Sequence, residues 1–390
     1  MQLNYKFRLY PNKKQQARLL ETLKLCRWTY NHFLSLWQDK IPSRYELQAH
    51  LPKLKAEKSE LSGVYSKVLQ MVLYQLYSNL KALSELKKKG KKVGRLRFKG
   101  KGWYKTLNYN QSGFRLYRTN HRIDRLHLSK IGDIPIRLHR KMEGEVKGVV
   151  IKRYRTGEWY ALFQVEAVPK PLPQNNKAIG IDVGIKHFLT DSSGRQIENP
   201  KFYQKSLERI KRKHREASRK KKGSSNRNKA RIRLAKAYWR LKNQRDDFLH
   251  KLSRFYVSSY GLIAVEDLRI TNMVSNHHLA GKILDASWGK FFQMLTYKAV
   301  SAGRLVLKVS PMSTSREYRY GDLDRDYNAS LNILTRVLGQ GLSEVTPVEM
   351  EPIRELIVVP ASSIVETGSP MRSGGNSPLE QKRTVDEVEK

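Results

Sequence analysis

The 390-residue sequence predicts a multidomain α+β protein. A chain of this length can form two or three domains, and three stretches of it differ in apolar pattern. Residues 12–92 carry apolar side chains at helical spacing, residues 93–168 have the pattern of short strands, and residues 178–338 alternate apolar strands with helices. Hydrophobic residues make up 39% of the chain, which is typical of globular proteins once glycine is added. We therefore expect folded domains.

The N-terminal part is predicted to begin with a strand and to continue as helices. Residues 3–9 alternate apolar and polar side chains, which indicates a half-buried strand that ends at Pro11. Apolar residues within 19–37 recur every three or four positions and predict a helix. A second helix is predicted near residues 64–86, and the lysine run at residues 87–92 ends it.

Residues 93–168 combine a strand pattern with interleaved basic and aromatic side chains. Lysine and arginine can hold phosphates, and aromatic rings can stack on nucleobases. In the alternative interpretation, the aromatic rings form the core of a small barrel and only the charges are exposed. A hairpin is predicted within this stretch, with Thr156 and Gly157 in its turn. The candidate nucleic-acid contacts are Lys99, Trp103, Tyr104 and Lys105, and Phe98 and Tyr109 are further candidate stacking residues.

Residues 178–338 predict one α/β unit, and residues 169–177 predict a linker before it. The expected strands are 178–183, 185–189, a strand after Gly194, 262–265 and 305–309. The expected helices are a basic segment within 201–250, followed by 288–299 and 328–338. This order of strands and helices fits an RNase H-like sheet.

The predicted basic helical segment carries an unusual charge. Residues 201–250 contain 19 Lys and Arg but only four Asp and Glu. Such a run can be a solvated face, but it would repel itself without a polyanion nearby. The candidate contacts in this segment are Lys211, Arg212, Lys213, Arg219, Lys220, Lys221, Lys222 and Arg227.

The whole chain is basic as well. It has 76 Lys and Arg against 35 Asp and Glu, a formal net charge of +41, far above the charge of about 2–8 that keeps a small domain soluble. A polyanion such as nucleic acid is the expected ligand, and its binding should depend strongly on salt. The sequence shows neither a signal-peptide core nor a membrane-length apolar run. We therefore expect a cytoplasmic nucleic-acid-binding protein with no membrane partner.

Three acidic residues lie at the edges of apolar runs: Asp182, Glu266 and Asp326. They are 84 and 60 residues apart, so only the fold can bring them together. Carboxylates at strand ends suit Mg²⁺, which prefers oxygen ligands and leaves positions open for phosphate and water. Each acid also has a structural alternative: Asp182 in a turn, Glu266 as a helix cap, and Asp326 as an N-cap. Together with the basic setting, the acids predict a catalytic site with two Mg²⁺ ions about 3.5–4 Å apart.

Several motifs of the chain closely resemble the TnpB family, which bacterial and archaeal insertion sequences encode. The motifs are GIDVGIKHF, SRKKKGSSNRNKARIRLAKAY, NQRDDFLHKLS, VEDL and DRDYNASLNIL, and the opening YKFRLYPNKKQ also fits. The resemblance covers about residues 1–338. TnpB proteins are RNA-guided DNA endonucleases related to type V CRISPR nucleases, and they have also been classed as transposases.

The resemblance implies a domain plan, partners and site residues. Residues 1–11 and 93–168 would form a split wedge-like β-barrel, residues 12–92 a helical recognition insert, and residues 178–338 a RuvC nuclease domain. The partners would be a guide RNA made from the transposon end and a double-stranded DNA target beside a short flanking motif. Asp182, Glu266 and Asp326 match the family's RuvC acids, which hold Mg²⁺ and cut both DNA strands.

One departure from the family pattern concerns zinc. Family members carry two CxxC pairs of a zinc ribbon shortly before the DRDYNA segment, whereas this chain has a single cysteine, Cys26. The sequence therefore lacks the CxxC pairs of the ribbon, which predicts that the ribbon is deleted, and no zinc site is predicted. The final residues, 339–390, lack helical periodicity and are predicted to form a mobile tail without an assigned function.

Two other functions stay open from the sequence. The first is a nuclease-impaired RNA-guided DNA binder that acts as a repressor or transposition regulator, which the missing CxxC pairs favour and the three acids disfavour. The second is a DNA strand-transfer transposase, because RNase H-like acids also serve that chemistry.

Overall fold

The computed structural model describes residues 1–37, 41–119, 123–311 and 323–339. The chain divides into two compact units, and the division lies between Ala167 and Val168. Residues 167–177 contain neither helix nor strand, so the segment predicted as a linker begins next to this division.

The N-terminal unit begins with strand β1 and three helices. Its elements here are β1 (Gln2–Leu9), α1 (Lys13–Ser35), α2 (Arg44–Glu57), a 3-10 turn (Ser59–Gly63) and α3 (Ser66–Lys88). Capping boxes start two of the helices: Asn12 with Gln15 caps α1, and Ser43 with Glu46 caps α2. Helix α3 packs against both α1 and α2.

A seven-stranded antiparallel sheet completes this unit. The remaining strands are β2 (Thr106–Asn110), β3 (Phe114–Tyr117), β4 (Asp124–Leu128), β5 (Gly132–Arg137), β6 (Glu145–Arg153) and β7 (Trp159–Glu166). Their order is β2-β6-β7-β1-β5-β4-β3, so β1 pairs in the middle of a sheet built from much later residues. The edge strands β2 and β3 are joined by only a three-residue turn, which brings the two edges together and makes the sheet nearly a barrel. One apolar core joins the helices to the sheet.

The C-terminal unit contains a five-stranded mixed sheet. Its strands are β8 (Ala178–Asp182), β9 (His187–Asp191), β10 (Gln196–Glu198), β11 (Leu262–Glu266) and β12 (Leu305–Val309). The order is β10-β9-β8-β11-β12. Strands β8, β9 and β10 are antiparallel neighbours, whereas β8, β11 and β12 are parallel.

Helices cover both faces of this sheet. They are α4 (Phe202–Ser218), α5 (Ser225–Ser259), α6 (Ile270–Met273), α7 (His277–Ala286), α8 (Trp288–Ala302) and α9 (Arg325–Leu338). Ile179 and Ile181 share one core with residues of α5 and α8. Gly180 lies against α9 instead, on the opposite face, because neighbouring residues of a strand alternate between faces.

The structure refines several predicted elements. The second strand of the C-terminal unit lies at His187–Asp191, two residues later than predicted, and the last helix begins at Arg325. Helices α2, α6 and α7 were not predicted, and α2 contains Pro52 in its interior. The predicted tail beyond residue 339 and the zinc-ribbon region at 312–322 lie outside the described residues. No helix in the described ranges is both long and apolar enough to span a membrane.

Candidate functional site

Two of the three predicted acids end neighbouring parallel strands. Asp182 is the last residue of β8 and Glu266 is the last residue of β11. In the register of the two strands, Ile181 lies beside Val265, so the two acids follow at equivalent positions. Parallel strands in register direct equivalent side chains to the same face. The fold therefore brings together residues that are 84 apart in sequence.

The third acid enters from helix α9. Asp324 is the N-cap of this helix, and its side chain accepts hydrogen bonds from the backbone N–H groups of Asp326 and Tyr327 at 3.1 and 3.3 Å. The capping role suggested for Asp326 therefore belongs to Asp324. Asp326 lies in the first helical turn, next to the cap.

Glycines in and after β8 allow α9 to lie close to the acids. A Cβ atom at Gly180 would lie 2.2 Å from the Ser330 carbonyl oxygen, so only glycine fits between β8 and the helix. A Cβ atom at Gly184 would lie 3.8 Å from Oδ2 of Asp326. The Asp326 carboxylate is therefore next to the segment that follows Asp182. Sequence patterns give no signal for this close approach, because it depends on packing between distant residues.

The pKa of Asp182 shows that the charges of the other two acids act on it. Burial, followed by the charges of Glu266 and Asp326, raises the pKa of the Asp182 carboxyl from 3.8 to about 7. The Val183 backbone N–H and the Arg325 guanidinium act in the opposite direction. Glu266 is itself buried, with 7% of its surface exposed. The site thus concentrates negative charge on one buried carboxyl group, Glu266, and two half-buried ones.

The neighbour of Glu266 has a different environment. Asp267 is exposed and forms an ion pair with Lys308 at 2.8 Å. Its backbone N–H donates to the Val309 carbonyl. The helix-cap alternative for Glu266 is wrong, because Glu266 lies within β11 and helix α6 begins only at Ile270. Of the adjacent acids, Glu266 is the one that points into the cluster.

Sequence analysis missed a hydroxyl beside the acids. Thr190 of β9 is the direct cross-strand partner of Asp182, and directly opposed side chains share a face with Cβ atoms about 4.5–5.5 Å apart. Thr190 is 1% exposed, and its hydroxyl makes no hydrogen bond within the described residues. It lies where it can donate to a reoriented Asp182 carboxylate.

The donor chemistry of the three acids suits a divalent cation, but the side-chain positions do not complete a shell. Carboxylate oxygens are the ligands that Mg²⁺ prefers. Within the described ranges, however, no three His, Cys, Asp or Glu side chains lie close enough together to hold an ion. Asp182, Glu266 and Asp326 therefore fit Mg²⁺ by donor type, and their side chains would have to move for all three to bind one ion.

The predicted contacts of the basic segment lie on a helical hairpin. Helix α4 packs against α5, and the Glu216–Arg233 ion pair at 2.8 Å joins the two helices. The connection between them holds Lys220, Lys221 and Lys222, all exposed. Four further candidates lie on or beside the hairpin and are exposed or half-buried: Lys211, Arg212, Lys213 and Arg219. The side chain of Arg227 donates to the Lys220 carbonyl and orders the connection.

The candidates of the N-terminal unit divide into exposed and buried residues. Trp103 is 77% exposed, and Lys105 is half-buried. Tyr104 is buried, so the structure corrects the prediction that it stacks on a base. Tyr109 is buried as well, as the barrel-core alternative held. Lys99 is half-buried with its ammonium over the Tyr104 ring, and its role as a phosphate contact stays a prediction.

Comparisons with known proteins give the family of the chain. A family described as a probable transposase (OrfB, IS605) matches residues 162–277, and a helix-turn-helix domain family of the same group matches residues 1–44. In the structure, the second range contains β1, α1 and the start of α2.

Full-length relatives extend these matches. A putative RNA-guided DNA endonuclease of Streptomyces pristinaespiralis is 33% identical over 308 residues, which cover 77% of this chain and 75% of the relative. The putative RNA-guided DNA endonuclease InsQ of Escherichia coli K12 is 28% identical over 81% of this chain and 82% of its own length. A cryo-EM structure of a Cas12f1–sgRNA–target DNA complex contains a chain of similar fold, with a TM-score of 0.53, 14% identity and 83% coverage of both chains. The chain belongs to the TnpB family of insertion-sequence proteins.

Proposed function

We propose that the chain is a transposon-associated RNA-guided DNA endonuclease that cuts phosphodiester bonds at a RuvC-like site. The observation that carries the proposal is the placement of Asp182 and Glu266 at equivalent ends of parallel strands, with Asp326 brought in by α9. The relatives named as putative RNA-guided DNA endonucleases support the same activity.

The topology of the C-terminal sheet supports the RuvC assignment. Its strands lie in the order β10-β9-β8-β11-β12, with β10, β9 and β8 antiparallel and β8, β11 and β12 parallel. This topology agrees with the RNase H-like unit inferred from the order of strands and helices along the chain. The acids lie at the ends of its two central parallel strands, which is where open α/β sheets place their sites. The transposase-family match at residues 162–277 includes two of the three acids.

In this proposal the carboxylates bind Mg²⁺, which would activate the attacking water and stabilise the leaving oxygen. The chain's own residues supply the position and the charge. Asp182 and Glu266 are held by two hydrogen-bonded strands, and Asp326 by the start of α9. The pKa of Asp182 is raised first by burial and then by the charges of Glu266 and Asp326. A divalent cation would neutralise these charges. Thr190 would orient Asp182 from the neighbouring strand.

The partners in this proposal are a guide RNA and a double-stranded DNA target with a short flanking motif. The formal charge of +41 and the exposed lysines between α4 and α5 supply phosphate binding without sequence preference. Base pairing with the guide would then select the target, as in other RNA-guided nucleases. The family's helical insert and wedge would correspond to α1–α3 and the seven-stranded sheet.

A second candidate function is guided DNA binding without efficient cleavage. Two observations favour it: the sequence lacks CxxC pairs, and the acids as placed do not form a complete metal-binding group within the described residues. A regulator of this kind would bind the same guide and target and would leave the DNA intact.

The experiment that tests the proposed function uses the full chain co-expressed with its transposon-end RNA. The purified complex is incubated with plasmids that carry a guide-matched target beside randomised flanks, with Mg²⁺ or with a chelator. We expect Mg²⁺-dependent double-strand cutting of matched plasmids next to one preferred flank. Binding of matched plasmids without cutting would instead support the guided regulator. Cutting that ignores the guide would contradict both.

A further inference from the structure

A basic loop of the N-terminal unit carries two strongly exposed aromatic rings. Residues 87–105 contain ten Lys and Arg and no Asp or Glu, and residues 91–105 form neither helix nor strand. Within this stretch Phe98 is 62% exposed and Trp103 is 77% exposed. We call residues 98–103 the aromatic loop. Exposed aromatic rings interleaved with cations are the combination that proteins use to bind single-stranded nucleic acid.

The aromatic loop is fastened to helix α1 through Lys99. The Lys99 backbone N–H donates to Oδ1 of Asn31 at 2.8 Å. Its carbonyl accepts from the Arg27 guanidinium at 3.2 Å and from the Asn31 amide at 3.1 Å. Its ammonium lies 4.0 and 4.9 Å from the ring centroids of Tyr30 and Tyr104. These contacts hold Lys99 against the helix, and the neighbouring Phe98 side chain is exposed to solvent.

The second aromatic ring is held from within the loop. The Trp103 backbone N–H donates to the Gly100 carbonyl at 3.1 Å. Its indole packs against Gly100, where a Cβ atom would lie 3.4 Å from Cδ1 of the ring. The loop thus presents Trp103 in an ordered position while most of its surface stays exposed. Stacking of a ligand on Trp103 would therefore cost little entropy, because the side chain is already ordered.

The chemistry of the loop selects an unpaired nucleobase. Aromatic rings beside cations bind single-stranded nucleic acid, because every base has a face for stacking and the cations hold the backbone. Bases in a duplex have no free face, and the target DNA is double-stranded until it is opened. A folded RNA, in contrast, displays unpaired bases in its loops, and proteins recognise these by stacking.

We propose that the aromatic loop binds the guide RNA by stacking Phe98 and Trp103 on unpaired bases. The exposed cations Arg95, Arg97 and Lys101 hold the adjacent phosphates. This inference rests on the proposed function, because that function supplies the guide RNA. It adds a specific contact site in a connecting segment of the N-terminal unit.

The test measures binding of the chain's own transposon-end RNA to the full-length protein without DNA. The variants are Trp103→Ala, Phe98→Ala, the double variant, and the conservative Trp103→Phe. Tyr117→Ala is the matched control, because Tyr117 is an exposed aromatic residue of the same unit, 43% exposed. Binding is measured at about 0.3 M salt, where non-specific phosphate binding is weak. Ultraviolet crosslinking and mass spectrometry then locate the RNA-bound peptide.

We expect Trp103→Ala to raise the Kd for the RNA about 10-fold, because stacking on one base contributes a factor of this order. Trp103→Phe should restore most of the affinity, Tyr117→Ala should leave it unchanged, and the crosslink should fall within the aromatic loop. Unchanged RNA affinity in the double variant would overturn the proposal. An RNA crosslink that falls only outside the aromatic loop would overturn it too.

Guided cleavage by the wild-type preparation separates this inference from the proposed function. If the wild type cuts matched plasmids and the double variant binds RNA normally, only the loop proposal fails. If the wild type neither binds the guide RNA nor cuts, the proposed function fails and the loop proposal fails with it.

Discussion

A carboxylate that is partly withdrawn from water beside two others destabilises the folded chain unless a cation neutralises it. Asp182 is in this position, next to Glu266 and Asp326. Its folded-state pKa of about 7 is above the ordinary value of 3.8. The charged form of Asp182 is therefore disfavoured in the folded state. The free energy of unfolding falls as the pH rises from about 4 to about 7, because over this range the folded protein keeps a proton on Asp182 that the unfolded chain has released.

Asp182→Asn should therefore stabilise the protein while it abolishes cleavage. In a chelating buffer near pH 8 we expect the melting temperature to rise by about 2–4 °C, the shift that about 1 kcal/mol produces in a domain of this size. The gain should shrink below about pH 4, where Asp182 is protonated in both folded and unfolded states. Differential scanning calorimetry at several pH values measures it.

Magnesium supplies the control for this prediction. Addition of Mg²⁺ should raise the melting temperature of the wild type more than that of Asp182→Asn, because a ligand stabilises only the state that binds it. An equal response of the two proteins to Mg²⁺ would show that Asp182 does not hold the ion.

At the residue scale the sequence predicted the acids but not their neighbours. Asp182 and Glu266 end apolar runs, which is a visible signal. Trp103 and Tyr104 are adjacent and chemically similar, yet one is 77% exposed and the other is 7% exposed. Tertiary packing determines which of the two rings is buried. The local sequence pattern does not contain the residues that pack against them, so it cannot predict the difference.

At the scale of elements, the contact between β8 and α9 holds the site together. Gly180 permits it, since any Cβ atom there would meet the Ser330 carbonyl oxygen at 2.2 Å and the Leu334 side chain at 2.9 Å. Backbone atoms cannot move aside as a side chain can. The helix that carries Asp326 would have to shift.

Gly180→Ala should therefore lower both stability and cleavage. We expect a loss of about 1–3 kcal/mol from overpacking, seen as a lower urea midpoint. Gly281→Ala is the matched control, because Gly281 lies in helix α7 with nothing within 4 Å of its Cβ position. The control should gain up to about 1 kcal/mol from helix propensity. A fully stable, fully active Gly180→Ala variant would refute the packing argument.

The α4–α5 hairpin is the second element with a testable role. Replacement of Lys220, Lys221 and Lys222 with Gln should weaken nucleic-acid binding and reduce the slope of log K against log salt by about 2–3, since each phosphate contact contributes about 0.7–0.9. Affinity measured across a salt series tests this.

The control for the hairpin removes the same charge elsewhere. Lys24, Lys147 and Lys251 are each paired with an acidic side chain, at 3.1, 2.7 and 2.8 Å. Their replacement with Gln should leave the salt slope nearly unchanged. Equal effects of the two triple variants would mean that only net charge matters and that the hairpin is a solvated face.

Elements with strong periodicity could be predicted, and weakly patterned ones could not. Strand Leu305–Val309 was predicted at its observed bounds. Helix α2 was not predicted because its sequence has few apolar residues and contains Pro52, a residue that disfavours a helix interior. The seven-stranded order, with β1 between β5 and β7, could not be read from strand patterns alone, because pairing between distant strands leaves no periodic signal.

At the scale of the whole molecule, a chain with a formal charge of +41 carries a cluster of three acids in its described residues. The positive charge binds the phosphates of any nucleic acid, so it contributes to affinity but does not cleave the phosphodiester bond. The three acids would carry out the cleavage and contribute little to nucleic-acid binding. Loss of an acid should therefore separate cutting from binding, which is the central claim of the proposed function.

The most direct test compares guided cleavage by four single variants in complexes with equal RNA content. These are Asp182→Asn, Glu266→Gln, Asp326→Asn and the control Asp267→Asn, whose carboxylate pairs with Lys308 instead of joining the cluster. We expect each of the first three variants to lose cleavage by at least about 100-fold while target binding persists, and we expect the control to cut like the wild type. Wild-type cleavage by any one of the three acid variants would contradict the assignment of the site.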